Sequence, residues 1–165
     1  MKKFIYILLA FFAVNSCGIY SFSGTSITPD IKSITVNNIS NKAMRVNPGL
    51  SNTLTEALTD KYRRFTSLDT GSPNGDLEVT GIITNYELVS IGVTANETAS
   101  KNRLSITIKI KFENKKHPKE NFEKSYASYE DYDSTLSFDS AESTLVTEIV
   151  KKLVEMVFLD TVAKW

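Results

Sequence analysis

Arg103-Leu-Ser-Ile-Thr-Ile-Lys-Ile-Lys-Phe-Glu113 decides the fold. Leu104, Ile106, Ile108, Ile110 and Phe112 alternate without a break against Arg103, Ser105, Thr107, Lys109, Lys111 and Glu113. A period of two residues is the mark of a strand with one face on a core and the other in water, and here the wet face is basic. Asn114-Lys-Lys-His-Pro-Lys119 reads as the turn that follows. Residues 122–133, with Tyr126, Tyr129 and Tyr132, return as the antiparallel partner strand.

Upstream, residues 77–89 form a long strand with Leu77, Val79 and Ile83 on one face, and Gly81 within it marks a bulge or a close approach. The polar stretch 90–100 joins this strand to residue 103 as a hairpin. Thr70-Gly-Ser-Pro-Asn-Gly-Asp76 is turn chemistry throughout. Before it, Asn47-Pro48 supplies an N-cap and first helical position, and Leu50, Leu54, Leu58, Tyr62 and Phe65 fall at three- and four-residue steps down one helix face. Residues 31–39, rich in β-branched side chains, predict a first strand. At the other end, Asp139 and Glu142 suggest a capping box opening a second helix. That helix carries Leu145, Ile149, Leu153, Met156 and Val157 in one stripe, widened by Val146, Val150 and Val154. The order is β-α-β-β-β-α. It predicts an α+β fold, a four-stranded mixed sheet with two helices packed on one face and the other face left open.

The N-terminus is of a different kind. Lys2 and Lys3 precede an apolar run over residues 4–14, whose 11 residues are too few for a spanning helix of about 20 but suit a signal peptide. Val14-Asn-Ser-Cys17 then resembles the bacterial lipobox, in which the cysteine becomes the acylated first residue. Cys17 is the single cysteine of the chain, so no disulfide framework or thiolate metal site is available and lipidation gives the thiol a role. The expected organisation is a lipoprotein signal peptide over residues 1–16, a lipidated tether over 17–30 and one domain over 31–165. Without residues 1–16 the 19 basic residues lose Lys2 and Lys3, leaving 17 against 19 acidic residues. A balance so close to neutral argues against nucleic acid as a partner.

Catalytic chemistry is sparse. His117 stands in a basic turn with no nucleophile beside it, and no phosphate-cradling loop or metal-ligand spacing is present. Paired acids such as Glu130, Asp131 and Asp133 have the chemistry for acid-base work or for a hard cation, but strand alternation points neighbours among them to opposite faces, which favours a solvated strand end. No cofactor is expected. Arg103, Lys109, Lys111, Lys115 and Lys116 are candidate contacts for an anionic ligand such as a phosphorylated glycolipid, because their charge and donors complement phosphate. Asp133-Ser-Thr, Asp139-Ser-Ala and Asp160-Thr-Val resemble a short O-glycosylation motif, though such tripeptides arise by chance.

Taken in order, Cys17-Gly-Ile-Tyr-Ser-Phe-Ser-Gly24, Asn47-Pro48, Ala95-Asn-Glu-Thr-Ala99, Asn102-Arg-Leu-Ser-Ile106, Asn114-Lys-Lys116 and the closing Ala163-Lys-Trp165 resemble lipopolysaccharide-assembly lipoproteins of the LptE type in their Bacteroidota form. The resemblance implies a non-enzymatic lipoprotein of the outer membrane, facing the periplasm. It further implies that such a protein sits inside a large β-barrel translocon and supports its insertion of lipopolysaccharide into the outer leaflet, with the glycolipid as a candidate ligand. Two other classes remain open on the residues alone: an accessory of another envelope machine, such as outer-membrane protein assembly, and a periplasmic hydrolase using the acidic strand end.

Overall fold

The alternating residues of the chain pair into an open mixed sheet in the computed structural model, which describes residues 27–91 and 101–163. The elements are β1 (Ile34–Val36), β2 (Ser40–Asn41), α1 (Leu50–Phe65), β3 (Leu77–Ile91), β4 (Lys101–Asn114), a short 3-10 turn (Pro118–Glu120), β5 (Phe122–Asp133) and α2 (Phe138–Val162). β1 and β2 both run parallel to β3, while β3, β4 and β5 are antiparallel neighbours. Of the expected strand over residues 31–39 only Ile34–Val36 is strand, a second short strand follows just beyond it at Ser40–Asn41, and the sheet has five strands where four were expected.

The split has a local cause. From the pair Val36–Val79 to the pair Ser40–Ile82 the chain advances four residues on one strand and three on the other, so one residue is extra. Asn37 still donates its N–H to the Val79 carbonyl, and its side chain bonds Glu78 and Thr80. The detour turns Ile39, which is fully buried, over Gly81. A Cβ at Gly81 would lie 2.9 Å from Ile110 Cδ1 and 3.0 Å from Ile39 Cγ1, so this glycine serves close packing. The irregularity in β3 falls instead between Ile83 and Asn85.

Both helices cover the face built from Ile34, Val79, Ile83, Ile106, Ile108 and Ile110, all fully buried. Leu50, Leu54, Leu58 and Tyr62 of α1 meet Leu145, Ile149, Leu153 and Val157 of α2 in one continuous core. Tyr62 is wholly buried, and its hydroxyl lies 2.8 Å from the buried Thr161 hydroxyl; burial pushes the Tyr62 pKa well above its ordinary value, so the phenol stays neutral. Phe65 leaves the predicted stripe. It is 57% exposed because the helix ends there, and its ring lies edge-on to Phe158 under Lys61.

The helix starts also differ from the sequence patterns. Asn47 Oδ1 accepts the N–H groups of Gly49 and Leu50 at 3.0 and 3.1 Å, but the N-cap is Gly49 and regular helix begins only at Leu50, two residues later than the Asn47-Pro48 pattern predicts. α2 is capped by Ser137, which accepts the Ser140 N–H, and Glu142 turns away from that cap to accept the Tyr86 hydroxyl and the Asn47 amide. No described helix is long and apolar enough to cross a membrane.

The turn before β3 leaves no room at Gly75. A Cβ there would stand 2.8–2.9 Å from Thr35 N and from the carbonyl carbon and Cα of Ile34, all backbone atoms of β1. Gly75→Ala is expected to destabilise the domain by about 1–3 kcal/mol, the usual cost of overpacking a site that cannot give way. An unchanged urea midpoint would show that β1 moves freely.

Candidate functional site: the open face of the sheet

With both helices on one side, the other side of β3, β4 and β5 carries the polar half of each alternation. Cross-strand register sets its rows: Thr80, Lys111 and Glu123 stand abreast, then Ile82, Lys109 and Ser125, and beyond the bulge Val89, Arg103 and Asp131. Side chains on one face of neighbouring strands interact with those opposite and diagonal to them. Lys109 Nζ accordingly reaches diagonally to Glu123 Oε1 at 2.6 Å, and Lys111 Nζ lies 3.0 Å from Glu113 Oε1 on its own strand.

Arg103 makes the most constrained contact. Its Nε and Nη2 donate to the two carboxylate oxygens of Asp131 at 2.7 and 3.0 Å, and its guanidinium lies 3.7 Å from the centroid of the Tyr129 ring. The Asp131 bond holds the Arg103 pKa above its usual value and Arg103 holds the Asp131 carboxyl below the ordinary carboxylate range. Such a fork on an aromatic platform is geometry that lysine cannot supply. The Tyr129 ring is the feature missed by reading residues singly; its position beside Arg103 follows only from the β4–β5 register.

At the lower rim, in the turn after β4, Lys115 lies 3.3 Å from Glu78 and Lys116 3.5 Å from Asp76. Asp76 also accepts the backbone N–H of Lys32, which lowers its pKa most, and so ties β1 to the start of β3. The five candidate basic residues thus share one open face and its rim as the pattern predicted, and each has a carboxylate partner. The surface is a lattice of compensated charges rather than a bare cationic patch.

The acidic cluster is divided by the same register. Glu130 points to the helix side and pairs with Lys152, Asp131 points outward to Arg103, and Asp133 accepts the N–H and hydroxyl of Thr135 at 2.8 and 2.7 Å. Three carboxylates with three separate structural duties do not converge on one reacting atom. His117 Nε2 stands 3.1 Å from Asp30 and 3.2 Å from Thr28 Oγ1, fastening the incoming chain near Ile27, which packs on the core. Of the glycosylation-like tripeptides, Asp160-Thr161-Val162 is a core contact, since Thr161 is buried against Tyr62. Cys17 and the stretch 92–100 lie outside the described residues.

An open sheet with two helices on one face, its charges compensated and its acids parted, places the chain in a class of two-layer α+β domains with one open polar face. Comparison with known proteins makes that class specific: the chain belongs to the LptE lipopolysaccharide-assembly family, whose model matches residues 31–161. Members of this family are non-enzymatic accessory proteins, so the hydrolase alternative falls. Comparison with curated proteins gives no match. Among solved structures, protein XCC0632 from Xanthomonas campestris is similar in fold at 10% identity, with 81% of this chain and 88% of that chain covered and a TM-score of 0.50. A minor lipoprotein from Acinetobacter baumannii is 14% identical over 79% of this chain and 93% of that chain, with a TM-score of 0.47. Rare lipoprotein B from Shewanella oneidensis is 7% identical over 78% and 90%, with a TM-score of 0.43.

Proposed function

We propose that this protein is an outer-membrane lipoprotein, anchored through acylated Cys17 and facing the periplasm, that plugs and supports a β-barrel translocon during lipopolysaccharide assembly. The observation that carries this reading is the family match over residues 31–161, which spans every strand and both helices up to the last turn of α2. A role in chemistry is not required of it; a rigid layered domain with an open polar face suits the wet lumen of a barrel. Depletion of the protein is expected to stop newly made lipopolysaccharide from reaching the cell surface while other barrel proteins still insert. A general loss of outer-membrane barrels would instead favour an accessory of outer-membrane protein assembly.

Glycolipid recognition belongs to the same reading, through Arg103, Lys109, Lys111, Lys115 and Lys116. Because Lys109 and Lys111 are held by Glu123 and Glu113, a phosphate group must displace carboxylates to bind there, which a doubly charged anion with several acceptor oxygens is equipped to do. Charge reversal at Lys109 and Lys111 together is expected to weaken glycolipid pull-down about tenfold or more, and Glu123→Gln to strengthen it by freeing Lys109. Unchanged binding in both variants would remove this face from the function.

A further inference from the structure

α2 ends at Val162 beside a cavity of about 250 Å3, at the place where the N-terminal chain enters the domain. Ile27, Ile31, Leu77, Phe112 and Val162 give it apolar walls, and Glu120 stands among the few polar groups that line it. Apolar walls with no atoms between them forfeit packing on every side, and water gains little in such a hollow. Its polar groups already have partners: Asn114 donates its amide to Glu120 Oε2 at 2.8 Å, and Asn114 Oδ1 accepts the N–H groups of Lys116 and His117. One large apolar side chain close by in sequence is not part of the described core. Ala163, the C-cap of α2, is buried, and the only tryptophan of the sequence follows two residues later at position 165.

We propose that the Trp165 indole fills this cavity and clasps the incoming N-terminal chain against the end of α2. The reach is short: three residues carry the chain from Val162, itself part of the wall, to Trp165, so their Cα atoms stand no more than about 11 Å apart. Burying an indole removes roughly 150–250 Å2 of surface from water, and its N–H needs an acceptor once buried. The Glu120 carboxylate supplies one, because its two oxygens have lone pairs for several donors and the Asn114 amide uses only one of them. With Ile27 and Ile31 on one side of the ring and Val162 on the other, a pull on the N-terminal chain passes into α2 and the core. Without the ring it would fall on the turn that joins the Ile31 N–H to the Thr28 carbonyl at 3.1 Å and on the contact of His117 with Asp30. The inference is independent of the lipopolysaccharide reading and holds whether or not Cys17 is acylated.

The test uses the full-length chain purified in detergent. Because Trp165 is the only tryptophan, fluorescence excited at the red edge of the protein's absorption reports this residue alone. A blue-shifted emission that acrylamide barely quenches is expected, with both properties lost in urea. Free quenching in the folded chain would leave the cavity to another occupant, such as an acyl chain, and overturn the proposal. Hydrogen exchange then locates the ring. Trp165→Ala is expected to speed exchange of the Ile31 amide about tenfold or more while the central amides of β4 keep their rates, since local opening and global unfolding are read at different amides. Trp165→Phe, which refills much of the space, should speed it far less. A shielded indole whose removal leaves the Ile31 amide unchanged would lie elsewhere, and equal acceleration at every amide would make it a general support of the fold. Either result would overturn the proposal.

Discussion

Cys17→Ala is expected to abolish acylation and release a folded domain from the outer membrane. The two effects separate because the anchor and the fold use different residues. Acyl chains hold through burial of methylene groups at roughly 0.8 kcal/mol each, and two or more chains make the attachment stable where one is marginal. In the lipobox reading every one of those chains would be attached through Cys17. The described core, by contrast, is built from Ile31 onward, with Ile27 packed against it. Palmitate labelling should fall to background in the variant, with the chain lost from the outer-membrane fraction. Its thermal unfolding, measured on purified protein, should match that of the parent. Persistent labelling would place the modification elsewhere and remove the lipobox reading.

Ile108→Ala is expected to cost the domain about 2–5 kcal/mol, a large share of the roughly 5–15 kcal/mol that holds a domain of this size. Ile108 is fully buried at the middle of β4, abreast of Ile83 on β3 and Tyr126 on β5 beneath the helices. Its truncation leaves a cavity walled by two strands that cannot close on it without breaking their own ladders. Its neighbour Thr107 faces the open side, and Thr107→Ala is expected to change stability by less than about 0.5 kcal/mol. Urea unfolding reads both. A large drop in midpoint at unchanged slope is expected for Ile108→Ala, whereas equal effects of the two substitutions would mean that the buried and open faces have been exchanged.

That pair of neighbours also shows what the sequence could reveal. Strict alternation over residues 103–113 fixes both faces of β4, and the leucine spacing of α1 and the valine-rich stripe of α2 orient the helices toward the same side. Local chemistry was less legible. The start of α1 depends on an Asn47 side chain that spans two backbone N–H groups, and the cap of α2 depends on Ser137 winning over Asp139. The break between β1 and β2 arises from packing of Ile39 on Gly81, a contact between residues 42 positions apart that neither strand pattern discloses. The open face was the hardest to read. Lys109 and Lys111 look like a basic stripe in one strand, and only the β4–β5 register, with Glu123 set diagonally to Lys109, shows that the stripe is compensated. The same register carries Glu130 and Asp131 to opposite faces and ends the prospect of a carboxylate pair.

The identity of the β-barrel that co-purifies with the tagged, full-length chain from membranes dissolved in mild detergent bears most directly on the proposed function. A stoichiometric barrel whose own depletion blocks delivery of lipopolysaccharide to the cell surface is the expected partner. Recovery of the barrel that assembles outer-membrane proteins in its place, or of no barrel at all, would contradict the assignment.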